Sequence, residues 1–161
     1  MSFIVSHPTG NSFVRALIEE LHLKQLLSNF FTTIGFGNDY NSLFKLIKNK
    51  RKYDIPDSKI RRLWYPELKR LLLKTDQATS RRLADASCEK LDNKTSMELS
   101  ANSAKFIHAY EDGALNTFRK SKDLEIQCSY ELPIAHWATS RRLLSEEAER
   151  YPHWEPTLEA T

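Results

Sequence analysis

The fold is decided by the stretch KFIHAYEDGALNTFRKSKDLEIQCSYELPIAHW, residues 105–137. Within it, an apolar run at 106–110 ends in an acidic loop, and an amphipathic run at 114–124 follows. A second strand, 126–130, in which Cys128 is expected to be buried, ends in an acidic loop that begins at Glu131, and a further helix is expected from about Ile134. Strand, acidic loop and helix therefore occur twice in succession, which is typical of a parallel α/β sheet.

The N-terminus repeats this order with a different loop. A short apolar strand runs into the turn His7-Pro8-Thr9-Gly10-Asn11, and the following segment, 12–24, places apolar residues on one helical face. Asn11 or Ser12 is suited to cap that helix. Gly10 would let a ligand approach the backbone, and the helix N-terminus would offer free N–H groups. A plain tight turn fits equally well, because no glycine-rich phosphate motif is present.

Further short apolar runs complete the pattern. The sequence predicts an α/β fold with a Rossmann-like, mostly parallel five-stranded sheet flanked by helices. The first and fourth strands are expected to be neighbours where the strand order reverses. A lid or short helix is expected at 41–51, a helix from Pro66 to Leu73, and a long helix at 78–99. The five strands are expected near residues 3–7, 28–34, 59–64, 105–110 and 126–130.

Length and composition indicate one domain with a substantial core, because the 161 residues are 40% hydrophobic and 28% charged. Residues 1–150 are predicted to form that domain, and 151–161 to begin a connection to another region. No apolar run approaches the roughly 20 residues of a membrane-spanning helix. Cys88 and Cys128 have no metal-ligand spacing, and we expect both to be reduced, which favours the cytoplasm. No metal or other cofactor is expected.

Positive charge is concentrated at residues 45–74, where eleven Lys or Arg stand against Asp54, Asp57 and Glu67, a local excess of eight. Tyr53 and Trp64 lie among these charges. A basic, aromatic-containing segment is typical of nucleic-acid or anionic-membrane contact. It also describes a solvated face of ordinary helices, which we favour. Membrane contact ranks second, and nucleic acid is the least favoured because no recognition motif accompanies the charge.

Several segments together resemble the N-terminal half of bacterial glycosyltransferases of the family 4 (group 1) type. The resemblance runs over nearly the whole chain and is thin between about Asp39 and Ala104. Its segments occur in the family's order and spacing, and they are Ser6-His-Pro-Thr-Gly-Asn-Ser-Phe-Val-Arg15, Phe31-Thr-Thr33, Tyr110-Glu-Asp-Gly-Ala-Leu-Asn-Thr-Phe118, Leu132-Pro-Ile-Ala-His-Trp137 and Arg150-Tyr-Pro-His-Trp-Glu-Pro-Thr157.

This resemblance implies a GT-B architecture, in which two Rossmann-like domains face each other across a cleft. The N-terminal domain mostly holds the acceptor, here a glycan or lipid-linked acceptor in bacterial glycan or glycolipid synthesis. A missing C-terminal domain would bind the nucleotide-sugar donor, and transfer would proceed with retention and without a required metal. The chain then looks like a fragment, inactive alone, in the cytoplasm or peripherally at the inner face of the membrane.

The resemblance also implies roles for individual residues. Glu111 and Asp112 would be catalytic, hydrogen-bonding acceptor hydroxyls or orienting a nucleophile. Alternatively, these two carboxylates cap the helix that begins at Gly113. Substrate-binding positions would be His7, Thr9, Gly10, Asn11 and His136, with Thr9 to Asn11 supplying hydrogen-bond donors beside the donor phosphates and the acceptor. The histidines are equally candidates for plain packing, and His108 is expected to be structural.

Two other functions stay open. The chain would be a stand-alone α/β binding or regulatory module if no second domain belongs to it. It would be a nucleic-acid or membrane-surface protein if the basic segment 45–74 is its binding face.

Overall fold

A computed structural model describes residues 1–40, 51–65, 67–68, 76–100, 104–132 and 135–154. The chain divides into two compact units, Met1–Glu131 and Leu132–Thr161. The predicted lid at 41–51 lies outside the described residues except for its last one, and so does most of the helix expected from Pro66 to Leu73.

The first unit contains one five-stranded sheet in which every pairing is parallel. The strand order is β3-β2-β1-β4-β5. This confirms the predicted α/β, Rossmann-like fold and all five strand positions, including the short third one. The strands are β1 (Phe3–Ser6), β2 (Leu27–Thr32), β3 (Ile60–Arg62), β4 (Phe106–Tyr110) and β5 (Gln127–Glu131).

The strand order reverses between β1 and β4, as predicted. From β1 the chain builds outward through β2 and β3, and it then returns to place β4 on the other side of β1. The β1–β4 register pairs Phe3 with Phe106 and Ser6 with Ala109. Loops that leave the two strands at their carboxyl ends diverge to opposite sides at such a point, which opens a crevice there.

Helices cover both faces of the sheet because neighbouring residues of β1 point to opposite sides. Val5 packs in a core with Val14 and Ile18 of helix α1 (Ser12–Leu23). Ile4 packs in a second core with Leu91 of helix α2 (Gln77–Glu98). Helix α3 (Leu115–Asp123) contributes Phe118 to the same second core. The second unit contains helix α4 (Trp137–Arg150), which begins slightly later than the predicted Ile134.

Strand β5 was expected to be buried, and this is wrong. It is the last strand in the order and has one neighbour, β4. Gln127, Ser129 and Tyr130 are exposed, and Cys128 is half-buried. Apolar and polar residues alternate over 126–130, which fits a strand that packs on one face only. Both Cys88 and Cys128 are free thiols, and burial raises the pKa of Cys88 to about 11.

Helices α1 and α3 end in the same way, each with a left-handed residue other than glycine. These residues are Gln25 (φ 58°) and Glu125 (φ 56°). After Gln25, the Leu26 N–H donates to the Leu21 carbonyl over 2.8 Å, and the equivalent bond after α3 joins Ile126 to Ser121. Glycine is the usual residue at this position, since a Cβ in the left-handed conformation costs about 1–2 kcal/mol.

We therefore expect Gln25→Gly and Glu125→Gly each to raise the free energy of unfolding by about 0.5–1 kcal/mol. The gain arises because the strain that glycine removes is larger than the cost of its greater conformational entropy in the unfolded chain. Urea denaturation measures this directly. Gln25→Ala keeps the Cβ and is the matched control, for which no gain is expected. Equal stability changes in the glycine and alanine variants would contradict the assignment of strain to these turns.

Candidate ligand site at the carboxyl ends of β1 and β4

His7 organises the loop that follows β1. Its Nδ1 accepts hydrogen bonds from the Thr9 N–H over 3.1 Å and the Gly10 N–H over 2.7 Å. The sequence predicted that Thr9 and Gly10 would offer donors to a ligand, but the structure directs both amides at His7. Their membership of a ligand site stays a prediction.

The carbonyl groups of this loop are held from two other elements. The Pro8 carbonyl accepts from the Thr33 N–H over 3.1 Å and from the Thr33 hydroxyl over 2.5 Å. The Thr9 carbonyl accepts from Arg51 Nη1 over 2.7 Å and from the Tyr53 hydroxyl over 3.2 Å. Burial raises the pKa of the Tyr53 hydroxyl, so it keeps the proton that it donates. The loop is therefore fixed in shape by the sheet and by the 51–53 segment.

Gly10 is required for packing as well as for backbone conformation. Its φ of 62° lies in the left-handed region. A Cβ built on it would lie 2.8 Å from Cε1 and from Cζ of the buried Tyr53 ring. The close approach anticipated for a ligand at Gly10 is thus occupied by Tyr53.

Asn11 links the loop to the far side of the crevice. Its Oδ1 accepts from the Val14 N–H over 2.8 Å, which confirms the predicted N-cap of α1. Its Nδ2 donates to Glu131 Oε1 over 3.2 Å, although 120 residues separate the two in sequence. Glu131 Oε2 lies 3.2 Å from His108 Nε2. Carboxyl-end residues of β1, β4 and β5 are thus joined in one polar network.

Sequence reasoning did not assign His108 or Glu131 to the site. Glu131 was noted as a loop carboxylate, and His108 was interpreted as structural. Strand alternation in the sequence places His108 and Tyr110 on one face of β4, but their partners depend on the register, which brings the His108 and Ser129 side chains to 3.1 Å. Two residues further along the same face lie Tyr110 and Glu131, also register partners.

The two acidic residues after β4 point to different surroundings. The Tyr110 ring packs on His7 with 4.2 Å between centroids. Burial, together with the nearby Glu111 charge, raises the pKa of Tyr110. Asp112, at φ 58°, lines an open groove of about 640 Å³ with Leu115, Phe118 and others on the α3 side. Glu111 therefore lies near the ring that packs on His7, and Asp112 borders a separate groove.

The alternative that Glu111 and Asp112 cap the following helix is wrong. The first-turn amides of α3 donate to the buried Asp92 of α2, from Asn116 over 2.7 Å and from Thr117 over 2.8 Å. A carboxylate from another helix thus supplies the negative charge that a helix N-terminus favours. Glu111 therefore does not cap α3.

His7 is buried, with 2% of its surface exposed. Burial lowers its pKa to about 4. The charge of Glu131 raises this pKa, and the charges of His108 and Arg51 lower it further. The ring is therefore neutral near pH 7. Because Nδ1 accepts two N–H bonds, the proton resides on Nε2. Nε2 is buried and has no hydrogen-bond partner among the described residues.

This burial predicts an acid-sensitive fold. The pKa of His7 is about 4 in the folded chain and 6.5 when unperturbed, so the unfolded chain binds more protons between these values. Stability from this group is complete above pH 6.5 and falls as pH drops toward 4, by at most about 3 kcal/mol. We expect His7→Asn to flatten this part of the stability–pH curve measured by denaturation. An unchanged slope would contradict a buried neutral His7.

His136 lies in the second unit. It precedes α4, and its Nδ1 accepts from the Ala138 N–H over 3.4 Å. Its predicted role in substrate binding stays a prediction.

The described basic residues of the segment 45–74 form contacts within the fold. Arg51 pairs with the buried Glu67, Arg62 with Asp57 and Arg61 with Glu98. Lys59 donates to the Leu27 carbonyl. Over the described residues, these contacts favour a structural role for the charge rather than a binding face. Among all the residues that the structure describes, no group of three or more His, Cys, Asp or Glu side chains could hold a metal ion.

Comparison of the chain with protein-family models, curated proteins and solved structures gives no match. Across the parts of the chain that the structure describes, none of the helices has the length and apolar character needed to cross a membrane.

Proposed function

We propose that this chain is the acceptor-binding N-terminal domain of a retaining, nucleotide-sugar-dependent glycosyltransferase that acts on a glycan or lipid-linked acceptor. The acceptor would occupy the crevice at the carboxyl ends of β1 and β4. Glu111 is the proposed contact to an acceptor hydroxyl, with His7 and Glu131 beside it. We further propose a cytoplasmic location, peripheral to the membrane if the acceptor is lipid-linked.

One observation carries the proposal. Three of the segments that bear the family resemblance, 6–15, 31–33 and 110–118, lie far apart in sequence yet meet around the loop 7–11. Thr33 donates to the Pro8 carbonyl, and the Tyr110 ring packs on His7. Asn11 of the first segment also donates to Glu131 at the end of β5. Polar residues gathered at the switch in strand order are the arrangement in which open parallel sheets bind ligands.

The proposal predicts glycan binding without catalysis by the 161 residues. A GT-B cleft needs both walls to hold two substrates in reacting geometry. We therefore expect the purified chain to bind members of a glycan array and to show no sugar transfer from UDP-, GDP- or ADP-glucose above a mock purification. Binding is measured as array fluorescence, and transfer as release of the free nucleotide diphosphate.

Glu111→Ala tests the proposed contact, with Glu89→Ala on the exposed side of α2 as the matched control. We expect Glu111→Ala to reduce array binding about tenfold while changing stability by less than about 1 kcal/mol, and Glu89→Ala to change neither. No glycan binding by the parent chain would overturn the proposed function. Measured transfer by the chain alone would contradict its assignment to the acceptor side.

A further inference from the structure

We propose that the β1–β4 crevice takes a neutral hydroxyl group of a sugar ring or similar polyol through a hydrogen bond from His7 Nε2–H, and that it disfavours phosphate. This inference rests on the proposed function and specifies the chemistry of the group that the acceptor site holds.

The first step is the state of His7. Its Nδ1 is occupied as an acceptor by the Thr9 and Gly10 amides, which fixes the neutral tautomer with hydrogen on Nε2. A buried N–H without an acceptor costs about 1–3 kcal/mol and calls for an explanation. Nε2 is such a donor. A ligand oxygen placed against it would remove this cost.

The second step is that five of the backbone amides suited to bind phosphate are already used. Backbone N–H groups of a glycine-containing loop and of a helix N-terminus are what an anion normally binds. Here the Thr9 and Gly10 amides bond His7, and the Val14 amide bonds Asn11. Across the crevice, the first-turn amides of α3 bond Asp92.

The third step concerns charge. The carboxylates Glu111 and Glu131 lie on this rim, and Glu131 is near enough for its charge to raise the pKa of His7 against the effect of burial. Arg51, the cation that acts on His7, is itself paired with Glu67 and bonded to the Thr9 carbonyl. A phosphate bound to His7 Nε2 would therefore meet the Glu131 carboxylate, and like charges repel.

A hydroxyl satisfies both kinds of group at once. It accepts one hydrogen bond from Nε2–H and donates its own proton to a carboxylate oxygen, which has lone pairs for more than one donor. A bare carbonyl ligand lacks the proton for the second bond. Sugars and polyols present several such hydroxyls, so the combination of a neutral donor with Glu111 and Glu131 selects their chemistry.

Tyr110 controls access to His7. Its half-exposed ring packs on the His7 ring, with 4.2 Å between the centroids. Because Nε2 is buried in this conformation, ligand binding requires a side chain that packs on the His7 ring to move, and Tyr110 is the half-exposed one.

The variant His7→Asn separates the two functions of the ring. The asparagine Oδ1 occupies a position close to that of Nδ1 and can accept from Thr9 and Gly10, but nothing replaces Nε2–H. His22→Asn, in the last turn of α1, is the matched control. Retained amide chemical shifts at Thr9 and Gly10 would establish that the loop is intact in His7→Asn.

The experiment is an NMR titration of the ¹⁵N-labelled chain with methyl glucoside, methyl mannoside and methyl galactoside, and separately with glucose 1-phosphate and inorganic phosphate. We expect a neutral glycoside to shift the His7 Nε2 resonance, and neither phosphate to do so. His7→Asn should weaken glycoside binding about three- to tenfold, the value of one hydrogen bond, while His22→Asn leaves it unchanged.

Phosphate binding that shifts the Thr9 and Gly10 amides would overturn the inference. So would glycoside binding of unchanged affinity in His7→Asn, although glycan binding at Glu111 would then still support the proposed function. Failure of every glycan to bind the parent chain would overturn both. If His7→Asn does not fold, the His7 ¹⁵N shifts of the parent chain decide the matter, since a proton on Nδ1 contradicts the assigned tautomer.

Discussion

Replacing Gly10 by valine is expected to destabilise the fold by about 2–5 kcal/mol, a large share of the 5–15 kcal/mol that holds a typical domain together. The left-handed φ of 62° disfavours any Cβ by about 1–2 kcal/mol. The new side chain would also clash with the Tyr53 ring, whose Cε1 and Cζ lie 2.8 Å from the Cβ position. Overpacking of this kind costs a further 1–3 kcal/mol or so. Chemical denaturation gives the value.

Gly113→Ala is the matched control for this prediction. A Cβ on Gly113 would lie 3.6 Å from the Cys88 carbonyl oxygen, an ordinary van der Waals contact. We expect that variant to stay within about 1 kcal/mol of the parent chain. If Gly10→Val proved as mild as Gly113→Ala, the packing of the loop on Tyr53 would be refuted.

Asp92→Ala is expected to cost about 2–4 kcal/mol and to loosen the start of α3. It removes the acceptor for the Asn116 and Thr117 amides. Because Thr117 is fully buried, water cannot replace the carboxylate there. Asp92→Asn keeps one acceptor oxygen and should lose about half as much. Amide hydrogen exchange should accelerate at Asn116 and Thr117 in particular.

Asp85→Ala, on the exposed side of the same helix, is the control and should change stability by less than about 0.5 kcal/mol. An equally small effect of Asp92→Ala, with rescue by Glu111 or Asp112, would restore the idea that the loop after β4 caps α3.

The fold was predictable because its signals are local. Apolar runs of strand length alternate with amphipathic helical runs, and the right-handed crossover rule then leaves few parallel arrangements. The cap at Asn11 was predictable for the same reason, because it acts within one turn of chain. The exposure of β5 was not predictable, since the residues 126–130 do not reveal whether their strand lies at the edge of the sheet.

The candidate site was predictable only in part, because its geometry depends on residues far apart in sequence. That Glu131 joins Asn11 to His108 follows from the strand order and not from any spacing. That Asp92, rather than Glu111, caps α3 depends on how α2 packs against α3. Gly10 was singled out as a ligand position, which stays a prediction, whereas its packing against Tyr53 could not be predicted because 43 residues separate the two.

The measurement that most directly tests the crevice as the acceptor site is a map of backbone amide shifts with a glycan that binds on the array. We expect the largest changes to lie in three groups: residues 7–11, residues 110–111 and Glu131. His22 and the far end of α1 should be unaffected. Changes centred instead on Leu115, Phe118 and Tyr130 would move the binding site to the groove beside α3 and would contradict the account.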